Sequence, residues 1–445
     1  MQRALNNTST EMLPWELELV AREIILNGDL LPMALASRKA FTPWKAVELL
    51  RELTMKISKE HVNSYDDALT AVAPLIHQQM PWSDDTFSRI ARYGQIYRHE
   101  PLAKIIQSDL KMPLSAWLKL GLTVFSYLDI DSSAPRSIFF HVPGLDRQTV
   151  DHFFALTARS IEDLRLQTKA QQVYDQQWAY TFNPLRKSPI NFFMATPERI
   201  FLPVPQLLIW RVTDGIYYDL IETAGKPFAK AFGDACEIYV GNVLKVALSG
   251  LEVEIHGERR YDSSKGEKAG ADWLVSDHSG HVFLECKAKR LTLPAKMAGF
   301  GESMDRDLNV LAGYIVQNYK NIRDAMQGYV SGFNHAGLPV FSAIVTLEDW
   351  GLHTVQLKER LHTLVELALQ DAGLPACMTV DHPYKVLSFF QLERHAQDIA
   401  KVGIANVFSP NAVYSNAAYR GCLFPETLAE LMPDIAERAG FDRFQ

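Results

Sequence analysis

The sequence predicts a mixed protein of the α+β or α/β class, in which a mostly helical N-terminal domain precedes a mixed β-sheet flanked by helices. Three observations predict this class. Apolar residues recur at helical spacing through about the first 170 residues, two apolar runs around a turn predict a β-hairpin near 273–284, and helical and strand patterns alternate from 228 to 347. The chain has 445 residues, of which 47% are hydrophobic, so it can bury two or three cores.

The helical N-terminal domain is expected to span residues 1–180 and to regulate activity, sense a trigger or bind substrate. Thr42-Pro43 predicts a helix start because proline suits the first helical position, and Ser64-x-x-Asp67 predicts another. A group of basic and aromatic residues then suits either single-stranded nucleic acid or an ordinary helix surface. This group consists of Arg89, Arg92, Tyr93, Tyr97, Arg98 and His99.

Prolines punctuate the next stretch, residues 181–225, and predict extended segments such as the one at Asn183-Pro184. We interpret this stretch as a connecting segment packed between two domains, with the apolar run 206–212 as a packing element. The second domain then covers residues 226–445, including a C-terminal extension.

The predicted hairpin is the most informative part of the second domain. Its two apolar runs lie within 273–284 and bracket a cluster of turn-forming residues. Strand periodicity places Glu285 and Lys287 on one face of the second strand, which we expect to be its polar face. Asp272, on the paired strand, can reach the same face. The hairpin therefore predicts two carboxylates and one ammonium group close together.

These groups suit a divalent cation beside a phosphate. Mg²⁺ or Mn²⁺ prefers oxygen ligands, and Asp272, Glu285 and the carbonyl oxygen of Cys286 offer an incomplete shell that a substrate phosphate can complete. Lys287 would then orient the attacking water or stabilise the pentavalent phosphate. The alternative is an exposed ion pair between Glu285 and Lys287, worth under about 1 kcal/mol.

A helix predicted at 228–248 carries a third carboxylate, Glu237. Gly233 and Gly241 lie four residues before and after it. Each glycine inside a helix costs about 1 kcal/mol relative to alanine, so the pair indicates a helix face that another element approaches closely. The alternative is a solvated Glu237 between two incidental glycines.

The elements follow an α-β-β-β-α-β order. They are the helix with Glu237, a strand at 251–261, the hairpin with Asp272 and Glu285-Cys286-Lys287, a helix at 305–327 and an apolar strand at 339–347. This order, with acids at those places, resembles the PD-(D/E)XK nuclease superfamily, which has the restriction-endonuclease-like fold. The resemblance covers about residues 228–347. It implies that Glu237, Asp272 and Glu285 hold metal and that Lys287 assists the nucleophile.

The chain departs from the superfamily pattern at two places. Asp272 follows Gly270-Ala271 rather than a proline. In the later helix, several members carry Gln with a Tyr four residues on, whereas this chain offers Tyr314, Gln317 and Lys320 on adjacent turns. The resemblance therefore implies only a reshaped substrate contact there, and an ordinary amphipathic helix surface is the alternative.

The net charge of −7 disfavours indiscriminate binding to nucleic acid, so local basic groups would have to supply phosphate contacts. Lys289, Arg290 and Lys296 follow the candidate ligands. Arg259, Arg260, Lys265 and Lys268 precede them. These residues suit either contacts to substrate phosphates or the solvated flanks of short strands.

The C-terminal extension is expected to enlarge the sheet and cover its edge, with a helix at 355–369, a strand at 385–390 and a helix at 391–399. Four histidines have no spacing typical of a zinc site and are expected in turns or on the surface. They are His278, His281, His382 and His395.

Several function classes are excluded or disfavoured. No apolar run approaches the roughly 20 residues that span a bilayer, and no signal peptide is evident, so cytoplasmic residence without membrane contact is expected. The four cysteines lie far apart and fit reduced thiols rather than a zinc knuckle. The chain has neither a P-loop nor a G-x-S-x-G elbow, so any nucleotide-driven partner would be a separate chain.

The expected function is a Mg²⁺- or Mn²⁺-dependent nuclease, a hydrolase of phosphodiester bonds. By analogy with the superfamily, DNA is the expected substrate, and the appended helical domain suggests defence against foreign nucleic acid such as phage. RNA, including tRNA, is the alternative substrate for an endonuclease or exonuclease of this fold. A non-catalytic module that binds nucleic acid or protein is the second alternative. Homo-oligomerisation and a separate regulatory chain both stay open.

Overall fold

The computed structural model describes residues 13–28, 43–61, 77–131, 133–173, 178–263, 266–298, 301–410 and 421–431. The chain forms two compact units. Unit 1 comprises Met1–Gly94, Ala103–Gly225 and Glu426–Gln445, and unit 2 comprises Gln95–Leu102 and Lys226–Pro425. This division differs from the predicted ranges, because residues 181–225 belong to unit 1 instead of forming a separate connector. The mixed α and β class, with sheets flanked by helices, is confirmed.

Helices dominate the chain as far as Thr223. They are α1 (Pro14–Asn27), α2 (Pro43–His61), α3 (Thr86–Tyr97), α4 (Glu100–Leu110), α5 (Leu114–Leu128), α6 (Arg147–Thr157), α7 (Ile161–Gln171), α8 (Pro205–Val212) and α9 (Asp214–Thr223). Helix α2 begins at Pro43, as predicted. Thr42, Ser64 and Asp67 lie outside the described residues.

Unit 1 also contains a small sheet that the sequence pattern did not predict. Its strands are β1 (Ser133–Pro135), β2 (Ala158–Ser160), β3 (Ile190–Phe193) and β4 (Thr196–Phe201), in the order β1-β4-β3-β2. These strands are too short to show a period. The apolar run 206–212, which we interpreted as a packing element, is buried and lies in helix α8, with Pro205 at the first helical position, where proline is tolerated.

Three members of the basic and aromatic group at 89–99, namely Arg89, Arg92 and Tyr93, form contacts inside unit 1. Arg89 and Arg92 are buried, and Arg92 forms an ion pair with Asp84 at 2.6 Å. Arg89 pairs with Asp214 at 2.5 Å, and the Tyr93 hydroxyl donates to the same carboxylate at 2.6 Å. These side chains are therefore engaged inside the unit, where charge pairing offsets the cost of burial.

Unit 2 is built on a five-stranded sheet of order β11-β10-β9-β8-β5. Its strands are β5 (Glu254–Gly257), β8 (Trp273–Ser276), β9 (His281–Lys287), β10 (Val340–Thr346) and β11 (Tyr384–Ser388). Strands β9, β10 and β11 run parallel, whereas β8 is antiparallel to both of its neighbours. The predicted hairpin and the apolar strand after it are confirmed. Strand β11 extends the sheet beside β10, as expected for the C-terminal extension.

The continuous strand predicted at 251–261 was wrong. The chain leaves the sheet after Gly257 and forms a separate two-stranded hairpin, β6 (Arg260–Ser263) with β7 (Gly266–Ala269). Charged residues at 258–260 interrupt the apolar alternation that would keep a strand half-buried in the larger sheet.

Helices cover both faces of this sheet. They are α10 (Gly225–Ala247), α11 (Leu293–Ala298), α12 (Glu302–Met326), α13 (Val355–Asp371), α14 (Met378–Asp381), α15 (Phe389–Val402) and α16 (Ile404–Phe408); α17 (Pro425–Leu431) follows. Helices α12 and α13 share one core with Phe283 and Ile344. On the opposite face, Phe341 contacts Phe408 of α16 with ring centroids 6.0 Å apart. In the described part of the chain, no helix has the length and apolarity that crossing a membrane requires.

Candidate active site

Asp272 lies just before β8 and reaches the end of β9. The hairpin register pairs Trp273 with Leu284, so the next pair outward is Asp272 with Glu285. The Asp272 carboxylate accepts a hydrogen bond from the backbone N–H of Cys286 at 2.6 Å. The hairpin therefore fixes one carboxylate beside the carboxyl end of β9, as the sequence predicts.

Glu285 lies on the strand face that the sequence predicts to be polar, but it is buried, which contradicts the alternative of an exposed ion pair. It is only 1% exposed because helix α12 covers that face of β9. The Lys287 ammonium group lies 2.6 Å from Glu285 Oε1, and the Gln317 side-chain amide of α12 donates to the same oxygen at 2.9 Å. The other oxygen, Oε2, is buried and has no partner among the described residues.

The ammonium group of Lys287 also lies near an aromatic ring. Besides Glu285, it lies 5.5 Å from the centre of the Tyr314 ring, within the range of a cation–π contact. Burial alone would lower the pKa of Lys287, but the Glu285 carboxylate outweighs it and the pKa is raised. Lys287 therefore remains charged in a partly buried position.

The sequence offered three residues of helix α12 as substrate contacts, and the structure places them differently relative to the site. Gln317 and Tyr314 join the site through the contacts to Glu285 and Lys287. Lys320 is exposed and contacts none of these side chains within the described residues. Gln317 is nevertheless exposed and Tyr314 half-buried, so this face of α12 is a helix surface that also contacts the site residues.

Glu237 on α10 approaches the site because Trp273 fastens the helix to the hairpin. The Trp273 indole N–H donates to the Glu237 carbonyl oxygen at 3.0 Å. The indole ring fills the space beside Gly241, where an added Cβ would lie 2.1 Å from ring carbon Cζ2. The prediction that another element approaches this helix closely is therefore confirmed at Gly241. At Gly233, by contrast, an added Cβ would have nothing within 4 Å. Trp273 was predicted only as part of an apolar strand, and its contacts with α10 were not expected from the sequence.

The carboxylates influence one another's protonation. Burial and the charge of Asp272 raise the pKa of Glu285 to about 7. The Glu237 side chain reaches solvent, yet partial burial and Asp272 also raise its pKa to about 7. Burial raises the pKa of Asp272 too, against the opposing hydrogen bond from Cys286. The site therefore concentrates more negative charge than Lys287 alone neutralises.

The donors fit a hard cation in part. Asp272 and Glu285 supply carboxylate oxygens, and Oε2 of Glu285 is buried without a partner. Burial raises the pKa of the Cys286 thiol, so its carbonyl oxygen, rather than its sulfur, is the available donor. Within the described residues, no three His, Cys, Asp or Glu side chains are grouped as a metal ligand set.

Most of the basic side chains that flank the candidate ligands already form ion pairs or other contacts within the protein. Lys289 pairs with Asp307 at 3.3 Å, Lys268 with Asp324 at 2.8 Å, Lys296 with Glu348 at 2.7 Å and Arg260 with Glu267 at 3.1 Å. Arg259 contacts the His256 ring at 2.8 Å, and Arg290 lies near Cys236. Lys265 lies outside the described residues. Phosphate contacts by these groups would require existing pairs to separate.

The four histidines take no part in the site. His281 is buried, with Nδ1 2.8 Å from the Ser276 hydroxyl, so its expected surface placement was wrong. Burial lowers the pKa of His395 to about 4, and that of His382 is lowered for the same reason. His278 is exposed in the hairpin turn, as expected.

Comparison with known proteins adds no relative to this picture. No protein-family model, curated protein or solved structure matches the chain.

Proposed function

We propose that unit 2 has a restriction-endonuclease-like fold and is a Mg²⁺- or Mn²⁺-dependent nuclease that hydrolyses phosphodiester bonds, with DNA as substrate. One observation carries the proposal: Asp272, Glu285 and Lys287 converge at the carboxyl end of β9, and one buried oxygen of Glu285 has no partner among the described residues. A buried carboxylate without full hydrogen bonding costs free energy unless a ligand compensates it. A divalent cation would provide that compensation.

Each residue has a distinct task in this proposal. Asp272, Glu285 and the Cys286 carbonyl oxygen would hold the cation. Glu237 would bind metal through an intervening water molecule. When bound, the ion supplies Lewis acidity and lowers the pKa of a nearby water molecule. Lys287 presents a fixed positive charge where negative charge develops on the phosphate in the transition state. Gln317 keeps the Glu285 carboxylate oriented through its 2.9 Å hydrogen bond.

The choice of DNA comes from the resemblance and not from the site. RNA stays the alternative because the same side chains require only a phosphodiester. A role in defence against foreign nucleic acid likewise belongs to the proposal, since it rests on the presence of an additional helical unit.

Nuclease activity can be tested directly on the full chain. Plasmid, single-stranded DNA and total tRNA would be incubated with the purified protein in Mg²⁺, Mn²⁺ or EDTA. We expect cleavage of DNA that EDTA and Glu285→Gln abolish. The matched control is Glu267→Gln, which alters an exposed glutamate of β7 and should cleave normally. Binding without cleavage in either metal would contradict the proposal and favour the non-catalytic module.

A further inference from the structure

Three histidines lie near the amino ends of the adjacent parallel strands β9, β10 and β11. His281 begins β9, His335 lies in the loop before β10, and His382 lies just before β11. His281 is the register partner of Val340, and Nδ1 of His382 lies 3.2 Å from the Val340 carbonyl oxygen. This edge of the sheet is opposite to the one that carries the candidate catalytic residues.

His281 connects the sheet to residues 327–339, which we call the β10 loop. The side chain is buried, and its Nε2 lies 3.3 Å from the His335 carbonyl oxygen, while Nδ1 lies 2.8 Å from the Ser276 hydroxyl. A carbonyl oxygen only accepts hydrogen bonds, so Nε2 carries the hydrogen, and Nδ1 of the neutral ring accepts from Ser276. The neutral imidazole therefore bonds the β10 loop on one side and the hairpin on the other.

An aromatic side chain of the β10 loop packs on the same ring. Phe333 meets His281 edge-on with ring centroids 5.1 Å apart, and meets Phe283 with centroids 5.4 Å apart. Strand periodicity places His281, Phe283 and Glu285 on one face of β9. Phe333 therefore covers the part of this face that lies next to Glu285.

The surroundings of His281 oppose a positive charge on its ring. Burial lowers the pKa of His281 below its usual value of 6.5, and a charge on His335 would lower it further. The hydrogen bond to the His335 carbonyl and the carboxylates of Asp277 and Glu254 act in the opposite direction without outweighing burial. A proton on Nδ1 would also force the Ser276 hydroxyl to turn and accept. Protonation therefore weakens the attachment of the β10 loop.

His382 responds to acid in the same sense. Burial lowers its pKa, against the hydrogen bond to the Val340 carbonyl and the charge of Asp381. The His335 ring lies close enough to lower the pKa of both His281 and His382 when it is charged. The first proton bound by this group therefore makes the closed loop a worse environment for the next one.

We propose that His281, His335 and His382 form an acid-sensitive latch, which holds the β10 loop closed at neutral pH and releases it as the solution is acidified. In the open loop, water surrounds His281 and its pKa returns to about 6.5, so the open form binds protons more tightly. The stabilisation of the closed form is fully present above pH 6.5 and is lost as the pH falls through the lowered pKa. Release of Phe333 would expose Phe283 beside Glu285. The latch does not depend on the proposed nuclease activity.

Hydrogen exchange of the full chain tests the latch, with rates at about pH 7.5 and pH 5 corrected for the intrinsic effect of pH. The Leu338 amide, which donates to the His335 carbonyl oxygen at 2.7 Å, reports on the β10 loop. We expect loop opening to be at least about threefold more frequent at the lower pH. His281→Gln keeps a donor and an acceptor without a titrating charge, so most of this dependence should disappear. His278→Gln is the matched control, because it alters an exposed histidine of the hairpin turn and should retain the wild-type dependence.

An NMR titration of the wild-type histidine rings gives a readout that needs no variant. We expect His281 to titrate below pH 6.5. His382→Gln, at a half-buried position, provides a second variant and should reduce the pH dependence of loop opening in part. The proposal is overturned if His281 titrates at or above pH 6.5, if corrected loop exchange is the same at both pH values, or if both glutamine variants keep the wild-type dependence.

Discussion

The indole N–H of Trp273 donates a hydrogen bond to the carbonyl oxygen of Glu237 at 3.0 Å, and this contact joins the hairpin to helix α10. The ring lies against Gly241, and the Lys245 ammonium group is 5.3 Å from the ring centre. Because Trp273 directly follows Asp272, the contact also sets the separation between the Asp272 and Glu237 carboxylates. A change at Gly241 should therefore affect both folding and the site.

We predict that Gly241→Ala destabilises unit 2 by about 1–3 kcal/mol, the usual cost of overpacking. The new Cβ would lie 2.1 Å from Trp273 and force the ring to move. Gly233→Ala is the control on the same helix, since its Cβ meets nothing within 4 Å and alanine has the higher helix propensity. Urea unfolding measures both variants. Equal stability of the two would show that the Trp273 contact does not constrain α10.

Glu285→Gln and Lys287→Met should each lower the cleavage rate about a hundredfold or more, because each removes charge that acts on the metal or the transition state. Single-turnover rates on a substrate that the wild type cleaves would measure the effect. A variant within about threefold of the wild type would remove that residue from the catalytic site.

Substitutions at Glu285 and Lys287 should also change the free energy of unfolding, unlike substitutions at ordinary surface residues. The Glu285 side chain is 2% exposed and that of Lys287 is 23% exposed. Glu285→Ala should therefore destabilise the protein by about 1–3 kcal/mol, because it removes the acceptor for Lys287 and Gln317. Lys287→Ala should cost less, since its end is closer to solvent. Equal and negligible losses would indicate that Glu285 is solvated in solution.

Mg²⁺ or Mn²⁺ should raise the melting temperature of the full chain, because an ion that binds only the folded state stabilises it by about 2.7 kcal/mol at one hundred times its Kd. Asp272→Asn should reduce this shift by removing one ligand charge. Asp262→Asn, which alters an exposed aspartate of β6, should retain it. Calorimetry in EDTA and in each metal would measure the effect, and an unchanged shift in Asp272→Asn would argue against this residue as a ligand.

Asp277 should stabilise the hairpin turn in a pH-dependent way. Its carboxylate accepts hydrogen bonds from Ser279 N at 2.7 Å, Gly280 N at 3.0 Å and Ile404 N at 2.8 Å. Burial opposes ionisation, but these bonds outweigh it and lower the pKa of Asp277 below its usual value of 3.8. The lowered pKa means that the stabilisation is fully present above pH 3.8 and is lost as the pH falls through the folded-state pKa.

Asp277→Ala should therefore cost about 1–3 kcal/mol at neutral pH, and the difference from the wild type should shrink as the solution is made strongly acidic. Urea unfolding at a series of pH values would measure this difference. Asp262→Ala, at an exposed position, should show little effect. A loss in Asp277→Ala that is independent of pH would mean that packing, and not the ionised carboxylate, stabilises the turn.

Local sequence patterns were sufficient to predict the helices and strands that carry the candidate site. Helical spacing predicted α12 within three residues at its start and one at its end, and the apolar run at 339–347 predicted β10 within one residue at each end. The hairpin was predictable because turn formers separate two runs of strand-forming residues, which is a short-range property. The same periodicity placed Glu285 and Lys287 on one face.

Tertiary structure alone decided what covers that face. Strand periodicity distinguishes two faces but carries no information about long-range packing, so it could not show that α12 buries Glu285 and contributes Gln317. The same limit applies to basic side chains such as Lys268 and Lys289, whose partners lie 56 and 18 residues further along the chain. The sequence therefore determined the acids, the ammonium group and the strands that bear them. Burial and charge pairing arose from contacts between distant segments.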